Sequence, residues 1–220
     1  MEKVPFSVYD FFAYLSSGIV WLLTADYILG LGFLQKDSVS SILAVALILF
    51  AYVCGHMVAH FSSFIFENLT VSRILKRPNV ILLGEKPYWV VFAWIFPHYF
   101  RALPKHTQER VFAQAESRGA KGTGEALFLH AYSVVSGISA VQARLDDFRN
   151  QYGFARNMSF AFVTSAIALV IAHFVGSHPV RLRWALLSGF AGIVLFYRYL
   201  KFFRQYSYEL FLRYAELVRT

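Results

Sequence analysis

A single cysteine, Cys54, in 220 residues excludes an intramolecular disulfide and any CxxC metal or redox motif. Charge is equally sparse, with Asp, Glu, Lys and Arg making up 15% of the chain against about 25% in ordinary soluble domains. No GxxxxGK[ST] phosphate loop, GxSxG elbow, HExxH helix or kinase signature occurs, so no catalytic residue and no cofactor is assigned. The opening MEKVPFSVYDFF has one lysine and no small-residue cleavage site, which predicts an uncleaved first span. No lipidation box is present.

What the chain has in excess is apolar and aromatic: 57% hydrophobic residues, 18% aromatic residues, 23 Phe and 13 Tyr. A soluble fold of this size could not hide them, whereas a bilayer takes Phe against lipid and Tyr and Trp at its interfaces. The composition predicts an all-α integral membrane protein, with membrane lipid as its first partner. Four transmembrane helices are expected, with a helical cytoplasmic segment between the second and third. The divisions fall at residues 1–66 for the first two spans, 67–156 for the segment, 157–200 for the last two spans and 201–220 for an amphipathic C-terminal helix.

The first span is expected over residues 6–34. Pro5 stands at its start, and Ser7 with Asp10 has capping-box spacing. Residues 38–66 carry no formal charge over 29 positions, more than the roughly 20 a crossing needs. Within them Ala51, Gly55, Ala59 and Ser63 recur every four residues. Small side chains at that spacing let another helix approach closely, and they are assigned here to tight packing, including packing between subunits. Residues 157–180 form a third uncharged run with a second ladder, Thr164, Ala168, Ala172 and Gly176. The fourth, 184–197, is only 14 residues between Arg183 and Arg198 and crosses only if those arginines snorkel.

Twelve Lys and Arg lie in 67–156 and five from Arg198 onward, against one in the first short loop and two in GSHPVRLR. The positive-inside rule therefore puts the middle segment and both termini in the cytoplasm. Inside that segment YWVVFAWIFPHYF, residues 88–100, is too short to span and reads as an interfacial or re-entrant helix. Residues 107–118 and 124–151 read as two helices joined by RGAKGTG. The second bears an apolar stripe of Leu127, Ala131, Val134, Ile138, Val141, Leu145 and Phe148.

Three groups of side chains point to chemistry. Asp26 lies within an apolar run, where a carboxylate faces a pathway, a partner or the outer interface. His56 and His60, at i and i+4, share a helix face. They are either pore-facing or packing histidines, or two ligands of a metal site that lacks a third; no metal is assigned. Asp26, His56 and His60 are the candidate pathway residues. The 67–156 segment has twelve basic against seven acidic residues. Arg110, Arg118, Lys121, Arg144 and Arg149 are its candidate ligands for an anion, against the alternative of plain headgroup attraction.

The stretches VYDFFAYLSSGIVWL, YVCGHMVAHFSS and FRNQYGFARNMSFAF resemble small bacterial inner-membrane effectors of phage-defence operons, in particular the channel effector of Hailong-type systems. The resemblance covers about the membrane half of the chain and carries no ligand residues across. It implies a homo-oligomeric ion channel, with a tetramer as the expected assembly, in the bacterial inner membrane. The implied ligand is a nucleotide or short single-stranded oligonucleotide, made by a cytosolic nucleotidyltransferase partner. Other readings are a membrane-bound metal enzyme using His56 and His60, and a non-conducting anchor for a cytosolic protein.

Overall fold

A computed structural model describes residues 8–32, 40–120, 122–175 and 182–217. The cap expected at Ser7, the side chain of Asp10, Lys121 and Gly176 lie outside the described residues. All regular structure among the described residues is helical: α1 (Val8–Leu29), α2 (Ser41–Ser62), a π-helical stretch (Ser63–Leu75), α3 (Pro78–Leu82), α4 (Val90–Ile95), α5 (Lys105–Ser117), α6 (Glu125–Val135), α7 (Ser139–Val175) and α8 (Leu182–Glu216). Among the described residues four helices are long and apolar enough to cross a membrane: Phe11–Leu29, Ser41–Leu82, Ser139–Val175 and Leu182–Glu216.

Helix ends follow local chemistry. α1 stops at Gly30, whose φ of +64° takes the left-handed turn that closes a helix, and the Leu31 amide reaches back to the Asp26 carbonyl at 3.2 Å. Ser40 is extended, and its hydroxyl accepts the Leu43 amide to start α2. The second helix does not end at Phe66, because no breaker stands there. It widens into i→i+5 geometry and runs to Leu75, where the Ser72 hydroxyl donates to the Glu67 carbonyl at 2.8 Å. Lys76 ends it with a φ of +70°, and extended Arg77 leads into Pro78 at the first turn of α3.

Two other boundaries differ from the sequence expectation. The helix foreseen over 124–151 breaks at 136–138, where Ser136 caps α6 and Gly137 follows, and α7 then runs 37 residues without interruption. α8 extends the short 184–197 run into 35 residues, about 52 Å at 1.5 Å per residue.

The chain divides into two compact units, Met1–Phe66 with Gly153–Tyr199, and Glu67–Tyr152 with Leu200–Thr220. In unit 1 the helices meet where side chains are small. A Cβ on Gly18 would collide with the Ala51 carbonyl, and one on Gly55 with the Tyr14 carbonyl. Ala51 and Gly55 thus serve the contact of α2 with α1 of the same chain. Hydroxyls bridge the other helices: Ser159 donates to the Gly192 carbonyl at 2.8 Å, the Trp21 indole to Thr164 at 2.8 Å and Thr24 to Ser165 at 2.9 Å. Ala172 packs with Leu169 and Ala185. The outward positions are apolar, with Ile42 85% and Phe174 76% exposed.

Unit 2 closes around large side chains. Leu82, Val111, Leu127, Leu145, Phe211 and Tyr214 are all fully buried. Of the predicted stripe, Leu127, Ala131 and Leu145 enter this core and Val134 and Val141 flank it, while Ile138 sits at the helix break and is exposed. Glu209, 2% exposed, accepts Arg144 at 3.1 Å and Arg213 at 3.0 Å, so the buried carboxylate is neutralised from two sides.

Candidate ligand-binding site

A cavity of about 230 Å³ opens in unit 2, lined by Glu67 and Asn68 of the π-helical stretch, Arg77, Pro78 and Asn79, Glu125, Phe128 and Leu129 of α6, and Phe203 and Ser207 of α8. Its walls combine two phenyl rings with amide, hydroxyl and charged groups, the mixture that holds and orients a small molecule.

Local structure places each group. Arg77 is extended because it precedes Pro78, and its side chain is held by two bonds: Nε donates to the Ser72 hydroxyl at 2.9 Å and Nη1 to Glu125 at 2.6 Å. Glu125 occupies the first turn of α6, where the helix dipole favours a carboxylate. The Arg77–Glu125 pair is solvent-exposed, so it contributes at most about 1 kcal/mol and opens easily. Asn79 is buried, with its carbonyl oxygen accepting the Val80 amide. Ser207, 2% exposed, is part of the cavity wall.

Lys76, the chain neighbour of Arg77, is itself held in place. Its ammonium pairs with Glu85 at 3.0 Å and lies 4.5 Å from the Tyr88 ring centroid, and its carbonyl accepts the Tyr99 hydroxyl at 2.8 Å. Tyr99 is almost wholly enclosed, and burial pushes its phenol well above the ordinary range, so it stays a neutral donor.

The sequence-predicted residues are dispersed. Arg110 and Arg118 are exposed on α5 and at its C-terminal cap, facing solvent. Arg144 is committed to Glu209, and Arg149 pairs with Asp146 at 3.0 Å. Gly119, Gly122 and Gly124 all take positive φ in the connection that contains Lys121. In unit 1, Asp26 is buried on the wall of an apolar groove of about 530 Å³ between α1 and α2. His56 packs against Tyr14 and Tyr52, with ring centroids 4.2 and 4.6 Å away, and His60 is exposed beside Phe61. Ala59 and Ser63 lie at the end of α2, where the Ser62 hydroxyl bonds to the Ala59 carbonyl and to Asn157. Among the described residues no three His, Cys, Asp or Glu side chains come together as a metal site would require.

Sequence reasoning missed Arg77, Asn79, Phe128, Phe203 and Ser207. They come from three separated segments, and no spacing within one segment names the other two; only the Arg77–Pro78 step marks a helix start. Comparison with known family models, curated proteins and solved structures yields no match to this chain.

Proposed function

We propose that this chain is a multi-pass bacterial inner-membrane protein that assembles with copies of itself into an ion channel, controlled by an anionic ligand bound in the cytoplasmic unit 2. The observation that carries the reading is the position of the 230 Å³ cavity. Two of its walls are Glu67 and Asn68, on the π-helical stretch that continues α2, and Phe203 and Ser207, which belong to the same helix as Gly192 and Tyr199 of unit 1. A ligand there bears directly on two of the four helices long enough to cross a membrane.

The ligand chemistry follows from the walls. A phosphate replaces the Glu125 carboxylate on Arg77, at the N-terminal end of α6, and Phe128 and Phe203 offer apolar surface to a base ring, with Asn68, Asn79 and Ser207 as hydrogen-bonding groups. A nucleotide or the end of a short oligonucleotide has both parts, as the resemblance to phage-defence effectors also implies. Arg110, Arg118 and Lys121 then add attraction at longer range. The π-helical stretch is the switching element, since return to i→i+4 geometry lengthens and rotates the helix that continues α2.

The test is ion flux from proteoliposomes with and without nucleotides and short oligonucleotides. Ligand-dependent flux is expected, weakened in Arg118→Glu/Lys121→Glu and abolished in Arg77→Ala. Absence of flux under every ligand condition defeats the channel reading.

A further inference from the structure

Unit 2 has one region that its own core does not explain. Tyr88, Trp89, Val90, Val91, Trp94 and Ile95 are all exposed, with Val90 at 84% and Trp94 at 82%, and α4 has no buried residue. The other exposed large apolar side chains of this unit, Ile74, Phe112, Leu129 and Ile138, are scattered singly, as is normal on a soluble surface. A contiguous apolar patch is not normal, and marks a surface that something covers.

The patch is held out rather than left loose. Before it, Lys76 lies against the Tyr88 ring and is tied to Glu85. After it, buried Tyr99 bonds to the Lys76 carbonyl and the Leu103 amide to the Leu82 carbonyl at 3.0 Å. Both ends therefore converge on the left-handed Lys76 corner, and the six apolar residues between them project from a fixed base.

The border of the patch is positive. Lys86 precedes it, and His98, Arg101, Lys105 and His106 follow it, all exposed. Lys86, Arg101 and Lys105 form no ion pair among the described residues, while the nearby acid, Glu85, is already held by Lys76. Two tryptophans and a tyrosine amid aliphatic side chains, edged by unpaired cations, match one covering medium. Aromatic rings with a polar edge settle at the headgroup level, aliphatic groups enter the acyl boundary, and cations meet anionic headgroups.

We infer that residues 88–95 are an interfacial anchor that docks unit 2 onto an anionic lipid surface, lying in the headgroup–acyl boundary. The pinned ends and the short α4 favour this place over a re-entrant loop. The inference rests on the membrane reading above, and gives it a second contact with lipid besides the long helices.

The test uses the full chain in nanodiscs and its native tryptophans, which stand at 21, 89, 94 and 184. The emission lost in Trp89→Phe/Trp94→Phe reports the patch, and these exposed positions leave the core untouched. In lipid brominated near the headgroup that component is expected to be quenched, more strongly in anionic than in zwitterionic nanodiscs, and acrylamide is expected to quench it poorly. Lys86→Glu/Arg101→Glu/Lys105→Glu is expected to remove the preference for anionic lipid. Phe190→Trp, on an exposed position of α8, serves as the control and is expected to be quenched by bromines near the bilayer centre.

If Phe190→Trp behaves so while the patch is quenched only by acrylamide, the anchor is wrong and the membrane reading stands. Shielding of the patch from both quenchers means that protein covers it, a second copy included, and also overturns the anchor. Equal quenching in both lipids overturns the anionic preference. A Phe190→Trp signal indifferent to brominated lipid overturns the membrane reading and the anchor together.

Discussion

Unit 1 closes its helices where side chains are missing or hydroxylic, with Gly18 on Ala51, Gly55 on Tyr14 and Ser159 on the Gly192 carbonyl, and turns Ile42 and Phe174 outward. Unit 2 closes around Leu127, Leu145, Phe211 and Tyr214 and carries the ion pairs Lys76–Glu85, Arg77–Glu125, Arg149–Asp146 and Arg213–Glu216 toward solvent. The proposed setting, with unit 1 in lipid and unit 2 in water, accounts for the difference. Between helices in lipid no hydrophobic force operates, so close backbone approach and hydroxyl bonds must hold them together. In water, burial of large apolar groups at about 25 cal/mol per Å² does the same work, and charge is left to the surface.

That contrast can be broken most sharply by adding volume to unit 1. Gly55→Leu drives a side chain into the Tyr14 backbone, which cannot yield as a flexible side chain would, and is expected to cost about 3 kcal/mol or more. Size exclusion in detergent should show aggregated or unrecoverable protein; a normal profile would mean that α1 and α2 do not pack as described.

In unit 2 the corresponding weak point is charge. Glu209→Ala strips the shared acceptor from Arg144 and Arg213 and is expected to cost about 1.5–3 kcal/mol, the range for hydrogen bonds to charged groups. A lowered thermal midpoint checks it. Gly192→Ala is milder, because its methyl meets one methyl group, Val163 Cγ2 at 2.7 Å, and backbone no nearer than the Val163 nitrogen at 3.1 Å, and about 1–2 kcal/mol is expected. Smallest of all, Arg149→Ala removes an exposed i,i+3 pair with Asp146 and should shift stability by less than about 0.5 kcal/mol. If Arg149→Ala proved as damaging as Glu209→Ala, the division between buried and surface charge in unit 2 would be wrong.

The helical class and the long apolar segments were legible because they depend on composition and on runs of uncharged residues. Ala51 and Gly55 of the small-residue ladder meet α1, though their nearest partner there, Gly18, was not legible, since no spacing within one helix names the helix it meets. The continuation of α2 into a π-helical stretch was invisible, as the sequence from Ser63 to Leu75 has no feature that distinguishes i→i+5 from i→i+4 bonding. Basic residues were read by charge alone, and charge does not name the acids with which Arg144 and Arg149 pair. Their carboxylate partners Glu209 and Asp146 are set by the fold of unit 2 and by helix spacing. Arg77 was passed over for the same reason in reverse, because its role comes from Pro78 and from a cavity assembled out of distant segments.

The central claim is that a ligand in the unit 2 cavity controls conduction, and Ser207→Trp tests it by filling the 230 Å³ space from a buried wall. Planar-bilayer recordings should show nucleotide- or oligonucleotide-dependent conductance in the wild-type protein, and in Ser207→Trp a conductance fixed in one state at every ligand concentration. Ligand titration curves that coincide for the two proteins, with Ser207→Trp folded as judged by size exclusion, would contradict the claim.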